Sequence, residues 1–444
     1  MNISAVVGGT VVTPGGPLRS DLVIREGKIE AIGPAPAGPD GTIDATGCYV
    51  LPGGVDPHTH LMAAPHLATA AAARGGTTTA LSFTSPRAGE SDLACLQRSR
   101  AELANAGIAI DVGLHAAIYD PDHVTAADLA AARSAGAAAI KIFLAYPELG
   151  IMCSDRRLRE LMAMAGPAGL VVAVHCENAA VIQALEDTAA PGPPGSGPRI
   201  FADTRPPEAE VEAVERVLAA ASLTGATCYL VHLSTAEALQ RVRSARAAAP
   251  PAVHAEVCTH HLLLDDRRYG QTDAERYLVC PPLRSERHIE ALWAGLADQT
   301  ISTVGSDHCQ TRTLSGRLAA SGHTYAYGLA GIGPRLPLLL SEAVTRGLTM
   351  AQVARLAAEN PARAFGHYPR KGALLPGSDA DAVIFDPAGE TVLPADGLGD
   401  GTSDSVYAGR ALHGRIRAVL LRGTLIVSET EFVGADPAGT YLAA

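Results

Sequence analysis

The sequence predicts an α/β protein, a (β/α)8 barrel with a small β-sandwich domain formed by both chain ends. From residue 49 onward, short β-branched apolar runs alternate with alanine-rich helical segments, giving eight candidate strand–helix units. Most of these runs are continuously apolar, which is typical of parallel strands buried on both faces. The two chain ends instead contain short strand-like runs joined by glycine and proline turns.

The predicted domain boundaries follow from this change in pattern. Residues 1–51 and 371–444 are assigned to the β sandwich, and residues 52–370 to the barrel. An open, doubly wound parallel sheet is the structural alternative for the same alternation of strands and helices.

The elements of the barrel are bounded by local signals. The candidate strands span residues 49–60, 77–83, 108–115, 138–145, 170–175, 227–233, 253–258 and 301–307. Left-handed glycines are predicted to end helices at Gly75, Gly107, Gly136, Gly169 and Gly225. Ser154 or Asp155 is the predicted cap of the helix that begins there.

Composition argues against several classes of function. The chain has 444 residues, 47% of them hydrophobic, and a formal charge of −11 without a basic block, so nucleic acid and membrane surfaces are not expected partners. Neither a signal peptide nor a transmembrane span is indicated. The eight cysteines form no CxxC pair, which predicts free thiols and a cytoplasmic protein.

Side chains that can bind metals fall at the ends of the predicted strands, where barrel active sites lie. His58 and His60 are two residues apart, so both point to one face of an extended segment and suit one divalent cation. His175 and His232 each end an apolar run and suit a second cation. Asp307, in TVGSDH, would be a buried carboxylate in need of a partner.

Lys141 lies within the apolar stretch AGAAAIKIFLAY, in a chain with only three lysines. Burial disfavours the ammonium form and makes the neutral amine available for chemistry. A neutral amine between two cations can take up carbon dioxide and become a bridging carbamate. A lysine that reaches the barrel rim, or pairs with one carboxylate, is the alternative.

Several motifs occur in the order found in cyclic amidohydrolases: GGVDPHTH, AIKIFLAY, VHCEN, VHLS, YLVCPPLR, TVGSDHC and NPARAFG. The resemblance extends over nearly the whole chain, and the sequence most resembles the dihydropyrimidinase/hydantoinase branch. The resemblance implies a TIM barrel plus β sandwich, two zinc ions and a carboxylated lysine. By motif, one metal takes His58, His60 and Asp307, the other takes His175 and His232, and Lys141 binds both.

The resemblance also implies substrate contacts. Tyr146 matches the family tyrosine that hydrogen-bonds the substrate carbonyl, and Cys280 falls where many relatives have a serine whose backbone contacts substrate. Ala330 stands where relatives often carry asparagine, which bears on substrate choice. His260, His261 and His308 are candidates for supporting roles beside the ligands. A small cyclic amide is the expected partner, in a homo-oligomer (tetramer or dimer).

The predicted reaction is attack of a metal-bridging hydroxide on the amide carbonyl of a dihydropyrimidine or hydantoin ring, with Asp307 as general base and then acid. Dihydroorotate is disfavoured because Leu61 and Met62 follow the HxH motif, where dihydroorotases usually place arginine. Allantoinase is the nearest alternative. A catalytically inactive scaffold protein is the alternative outside enzymes.

Overall fold

The computed structural model describes residues 1–36, 41–190, 196–248, 252–309, 327–429, 431–434 and 438–444. Contacts between Cα atoms divide the chain into two compact units. The first unit comprises Met1–Ser82, Arg100–Gly113 and Ala330–Leu442, and the second comprises Phe83–Ser99, Leu114–Leu329 and Ala443–Ala444.

The second unit is built on successive parallel strands. They follow one another in the order Asp111–Ala117 (whose last four residues belong to this unit), Ala139–Phe143, Val171–His175, Cys228–Leu230, Val253–Cys258 and Thr303–Gly305. Each pairs in parallel with the next. Nearly every residue of these strands is buried, as the continuous apolar runs predict. The short strand His308–Cys309 follows them.

Helices precede and connect these strands. They are Asp92–Ala104, Ala126–Ser134, Asp155–Ala165, Ala179–Thr188, Gly197–Asp203, Pro207–Thr224, Ala236–Ala247, Thr259–Leu263 and Glu286–Ala297, with 3-10 turns at Pro147–Leu149, Asp266–Gly270 and Ala274–Tyr277. Ser154 is the N-cap of its helix and accepts a hydrogen bond from the Arg157 amide, as predicted. Thr125 caps another helix through a capping box with Asp128.

Four of the five predicted glycines are left-handed, and two of these directly end a helix. Gly107, Gly136, Gly169 and Gly225 have φ angles between 64° and 97°. Gly136 and Gly225 stand at the ends of Ala126–Ser134 and Pro207–Thr224, whereas Gly107 and Gly169 lie in turns beyond helices that end at Ala104 and Ala165. The prediction for Gly75 is wrong: its φ is −81°, and the following residue, Gly76, adopts the left-handed conformation at 81°. Glycine is still needed at position 75, because an added Cβ atom would lie 1.8 Å from the Gly333 carbonyl oxygen.

The first unit contains one sheet made of N-terminal strands alone and one sheet that combines strands from both chain ends. One has the order Lys28–Ile32, Leu22–Arg25, Ala5–Val7, Thr42–Asp44. The other has the order Glu431–Phe432, Thr424–Ser428, Ala411–Leu421, Ala382–Val392, Tyr49–Pro52, Thr10–Thr13, Gly16–Arg19. Apolar side chains from both ends share one core, including Val6, Leu22, Val50, Ile384 and Leu420.

The predicted strand 49–60 is two strands in the structure. Tyr49–Pro52 pairs antiparallel with Ala382–Val392, whereas Gly54–His60 pairs in parallel with Thr77–Phe83. Gly53 separates them, and a Cβ atom there would lie 2.2 Å from the Thr78 hydroxyl. The remaining helices of this unit are Pro65–Arg74, Arg335–Arg346, Met350–Ala354 and Asn360–Ala364, with a π-helical turn at Arg355–Glu359.

Among the described residues, no helix combines the length and apolar character needed to cross a bilayer. All eight cysteines are free thiols, as their spacing predicts.

Candidate metal centre

His175 and His232 face each other in the second unit. His175 ends the strand Val171–His175, and His232 lies two residues beyond the neighbouring strand Cys228–Leu230. The Nδ1 atom of His175 is 2.9 Å from the Nε2 atom of His232, and both side chains are almost completely buried. Burial lowers the pKa of His175, which favours the neutral imidazole that binds metals.

Two buried glutamates support this pair. The His175 Nε2 atom lies 2.8 Å from Glu177 Oε2, and the His232 amide donates to Glu256 Oε1 at 2.9 Å. Glu256 also accepts a hydrogen bond from the Tyr229 hydroxyl, at 2.8 Å. A carboxylate that holds one ring nitrogen of a histidine orients the other nitrogen toward a metal, and Glu177 has that position.

Lys141 lies in the middle of the strand Ala139–Phe143, with 2% of its surface exposed. Its Nζ atom is 5.0 Å from the ring centre of Phe83 and 5.4 Å from that of Phe143. Burial lowers the pKa of Lys141 to about 8, although the charge of Asp307 acts in the opposite direction. Roughly a tenth of the amine is therefore neutral at pH 7, far more than for an ordinary lysine.

The backbone is strained at three of the predicted site residues. Tyr146, His232 and Asp307 have φ angles of 68°, 39° and 47°. Residues other than glycine seldom adopt this region, and such strain is concentrated at functional sites because surrounding contacts must impose it. These three residues follow three different strands of the second unit.

Tyr146 and Cys280 also contact His175 and Glu177. The Tyr146 hydroxyl is 3.3 Å from His175 Nε2, and the Cys280 thiol is 3.0 Å from Glu177 Oε2. Burial raises the pKa of Tyr146 well above its ordinary value, so the hydroxyl keeps its proton. A cavity of about 750 Å³ lies beside them, and its lining includes Tyr146, Glu177, Phe201, Arg205 and Tyr327.

The remaining predicted residues lie as follows. His58 and His60 end the strand Gly54–His60 of the first unit, with ring centres 5.6 Å apart. Ala330 is buried in the first unit. In the second unit, His260 and His261 are buried with ring centres 4.3 Å apart, and His261 Nε2 faces the Pro281 carbonyl oxygen at 2.9 Å.

The amidohydrolase family matches residues 49–426. The D-hydantoinase of Ralstonia pickettii is 36% identical over an alignment of 449 positions, which covers 98% of this chain and 97% of the relative. The chain belongs to the amidohydrolase family. Family membership makes a binuclear metal site plausible, and the buried imidazoles, carboxylates and lysine described above supply suitable donors.

Solved structures of related proteins agree over the full length. The crystal structure of the dihydropyrimidinase from Brevibacillus agri NCHU1002 has a TM-score of 0.91 at 33% identity and covers 100% of this chain and 98% of its own. The L-hydantoinase (dihydropyrimidinase) from Arthrobacter aurescens has a TM-score of 0.90 at 26% identity, with complete coverage of both chains. The predicted fold class, a (β/α)8 barrel with a β sandwich from the chain ends, is confirmed.

The donors of the second unit fit a divalent cation. For bonds of 2.0–2.1 Å and tetrahedral angles, two histidine nitrogens on one zinc ion are roughly 3.3 Å apart. The nitrogens of His175 and His232 are 2.9 Å apart, so a small rotation of either ring accommodates an ion. Paired histidines alone also occur in ordinary protein cores. The pair His175 and His232 is a candidate metal site because the chain belongs to the amidohydrolase family.

Glu177 and Glu256 are the site residues that sequence reasoning missed. Both are fully buried charged side chains within or next to apolar runs. Buried glutamates are rare unless paired, so Glu177 in VHCEN and Glu256 in VHAEVC carried a usable signal. The signal was hard to interpret because their partners, ring and backbone nitrogens, cannot be recognised from sequence spacing.

Proposed function

We propose that this protein opens the ring of a dihydropyrimidine or hydantoin by hydrolysing a ring amide bond, with two divalent cations as cofactors. The chain is a cyclic amidohydrolase by family and by similarity to hydantoinases along its whole length. The observation that carries the proposal is the buried Lys141, whose pKa is lowered to about 8, in the same unit as the facing pair His175 and His232.

The proposed ligand sets follow the sequence motifs. His58, His60 and Asp307 hold one cation, and His175 and His232 hold the other. Lys141 binds both after its neutral amine adds to carbon dioxide, which forms a nitrogen–carbon bond and releases one proton to solvent. When bound, the cations polarise the amide carbonyl and lower the pKa of water to about 7, which supplies a nucleophile at neutral pH.

Asp307 is proposed to move the proton. Its carboxylate accepts a proton from the attacking water and later donates it to the ring nitrogen as the carbon–nitrogen bond breaks. The left-handed backbone of Asp307 supports this role, because it fixes where the carboxylate is presented.

Tyr146 is proposed to stabilise the negative charge that develops on the carbonyl oxygen. Its raised pKa keeps the hydroxyl protonated and able to donate a hydrogen bond. One well-placed donor of this kind contributes roughly 3–4 kcal/mol to the transition state. The cavity beside Tyr146 has room for a substituent on the ring.

The Asp307→Asn variant tests the mechanism. We expect metal content near that of the wild type, because the amide keeps an oxygen donor for the cation, and a loss of turnover of about 10²–10⁴-fold, because the amide cannot accept the proton. Asp298→Asn is the matched control: Asp298 lies on the surface of the same unit, where it pairs with Arg243, and its loss should leave turnover unchanged. Full activity in Asp307→Asn would contradict the assignment.

A substrate panel on metal-loaded protein tests the reaction. Hydantoin, dihydrouracil, allantoin and dihydroorotate should be compared under identical conditions, and we expect turnover of the first two. Exclusive turnover of allantoin would overturn the proposed substrate. A protein that holds no metal and opens none of the rings would instead favour the scaffold alternative.

A further inference from the structure

The first turn of the helix Pro207–Thr224 contacts the chain just beyond His232. Glu210 lies in this turn with 1% of its surface exposed. Its Oε1 atom accepts hydrogen bonds from the Thr235 amide at 3.0 Å and from the Thr235 hydroxyl at 2.6 Å. The Ser234 amide lies 3.1 Å from both carboxylate oxygens, and the Ser234 hydroxyl also donates to Oε2. One buried carboxylate therefore receives the amide and hydroxyl donors of two consecutive residues.

Positive charge lies close to this carboxylate. Burial raises the pKa of the Glu210 carboxyl, and the charge of Arg284 counters this effect. Arg284 is held nearby, because its Nε atom donates to the Ser234 hydroxyl at 3.0 Å. Thr235 is the N-cap of the helix Ala236–Ala247, so Glu210 also lies at the positive end of that helix dipole. These groups favour the ionised carboxylate, which is the form that accepts all four hydrogen bonds.

The same helical turn also holds the segment beyond His175. The Asn178 amide donates to the Ala209 carbonyl oxygen at 2.9 Å, and the Asn178 side-chain amide donates to Glu212 Oε2 at 2.6 Å. Asn178 in turn caps the helix that begins at Ala179. Successive residues of one helical turn therefore hold the segments that follow both of the facing histidines.

His232 needs such support because its backbone is strained. Its φ angle is 39°, in a region that residues other than glycine seldom adopt unless surrounding contacts impose it. Glu256 accepts a hydrogen bond from the His232 amide, and Glu210 holds the two residues that follow Leu233. If Glu210 loses these contacts, the chain beyond His232 can relax toward an ordinary conformation and carry the imidazole with it.

We propose that Glu210 is a positioning residue that fixes the distance between the rings of His175 and His232, and thereby the strength with which a cation binds between them. This inference rests on the proposed function, in which these two histidines hold one of the two cations. Glu210 acts through the backbone that follows His232 and is not itself a ligand. Zinc binds tightly when its donors are held near tetrahedral geometry before the ion arrives.

Zinc affinity of the Glu210→Gln variant tests this role without any substrate. The glutamine keeps one acceptor oxygen but places an NH₂ group against the donors of Ser234 and Thr235. We expect one of the two zinc ions to bind roughly 10–100-fold more weakly than in the wild type, which is the usual loss when a contact that supports a metal ligand is removed. Competition with a chelator, starting from metal-free protein, measures this affinity.

Asp111→Asn is the matched control. Asp111 is also a buried carboxylate with several donors, among them Lys371 Nζ at 2.6 Å and the Thr440 amide at 2.8 Å, but it lies in the first unit. We expect Asp111→Asn to unfold at lower denaturant concentration and to keep the zinc affinity of the wild type. An equal loss of zinc affinity in Asp111→Asn and Glu210→Gln would mean that general destabilisation is the cause, and it would overturn the proposal.

Unchanged zinc affinity in Glu210→Gln also overturns the positioning role. Should that variant fail to fold, as judged by circular dichroism, Ser234→Ala keeps the test valid. It removes one hydroxyl donor to Glu210 and should weaken binding of the same zinc ion at least about threefold, and wild-type affinity in Ser234→Ala then counts against the proposal. If the zinc affinities change as expected but no cyclic amide is hydrolysed, the proposed reaction fails and the positioning role of Glu210 stands.

Discussion

Lys141 and Lys371 are both buried, with 2% and 1% of their surfaces exposed, but their surroundings are opposite. In the first unit, Lys371 Nζ lies 2.6 Å from Asp111, 2.7 Å from Asp381 and 2.9 Å from Asp379. In the second unit, Lys141 lies against aromatic rings, and no ion pair of this lysine occurs within the described part of the chain.

The difference shows that partners, more than burial, decide whether a lysine keeps its proton. Burial acts to lower both pKa values. The three aspartates reverse the effect at Lys371 and raise its pKa, whereas the pKa of Lys141 falls to about 8. Lys371 is therefore a permanent cation that joins segments of the first unit, whereas Lys141 loses its proton more easily, as the proposed carbamate requires.

Replacing Lys141 by methionine gives the largest expected effect on activity. Without the nitrogen no carbamate can form, so we expect metal content to fall and turnover to drop by at least about 10³-fold, or roughly 4 kcal/mol in barrier height. Stability of the metal-free protein should not fall, because the variant removes a buried ammonium group that has no ion pair among the described residues. Turnover, metal analysis and denaturant unfolding measure the three quantities.

The same Lys141→Met protein can contradict the comparison. If it binds metal and turns over substrate like the wild type, Lys141 is only a packing residue. If metal-free Lys141→Met unfolds at much lower denaturant than the metal-free wild type, then Lys141 has a partner that stabilises its charge, and the contrast with Lys371 disappears.

Replacing Lys371 by methionine gives the largest expected effect on stability. The variant leaves the carboxylates of Asp111, Asp379 and Asp381 close together with less positive charge among them. Removing one partner of a buried ionic group costs about 3–5 kcal/mol, because the remaining charges stay buried. Denaturant unfolding should detect this loss. A change below 1 kcal/mol would show that Arg422, which also pairs with Asp111, compensates.

The contrast between the lysines was only half visible in the sequence. Lys141 stands out because it interrupts an apolar run, and that local signal led to its predicted burial. Lys371 follows an arginine in a polar stretch, and its partner Asp111 is 260 residues distant in sequence. No periodicity connects positions so far apart, so its ionic network could not be predicted.

The candidate site shows the same division. The strand ends were predictable because continuous apolar runs stop there. The sequence therefore indicated that His175 and His232 lie at equivalent ends of two strands, and the structure places them side by side. The glutamates that support these histidines were not predictable, because Glu177 contacts a ring nitrogen and Glu256 a backbone nitrogen, and sequence spacing does not reveal such partners. The left-handed backbone conformations at Tyr146, His232 and Asp307 were not predictable either. They depend on tertiary contacts, because none of these three residue types requires a positive φ angle.

The pH dependence of stability separates the two lysines in solution. The folded-state pKa of Lys141 is about 8, below the ordinary value of 10.5, so the unfolded chain binds more protons between these values. The contribution of Lys141 to the stability of the metal-free protein therefore rises with pH across this window, by up to roughly 3 kcal/mol at 1.36 kcal/mol per pKa unit. Lys371 has the opposite sign: its raised pKa gives stability that is fully present below pH 10.5 and lost above it.

The measurement is the difference in unfolding free energy between the wild type and Lys141→Met, both metal-free and without bicarbonate, from pH 7 to pH 10. We expect the wild type to gain stability relative to the variant as pH rises. A flat difference would mean that Lys141 has the same pKa folded and unfolded.

The smallest expected effect is at Lys28, which also pairs with Asp379, at 2.5 Å, but has 48% of its side chain exposed. We expect Lys28→Met to lose at most about 1 kcal/mol, because water screens the exposed charge and Asp379 keeps Lys371 and Arg370 as partners. The effect should shrink as salt is added, whereas that of Lys371→Met should not, because buried pairs are screened much less. Unfolding at low and high salt therefore distinguishes them, and equal losses at both positions would mean that burial does not set the strength of this network.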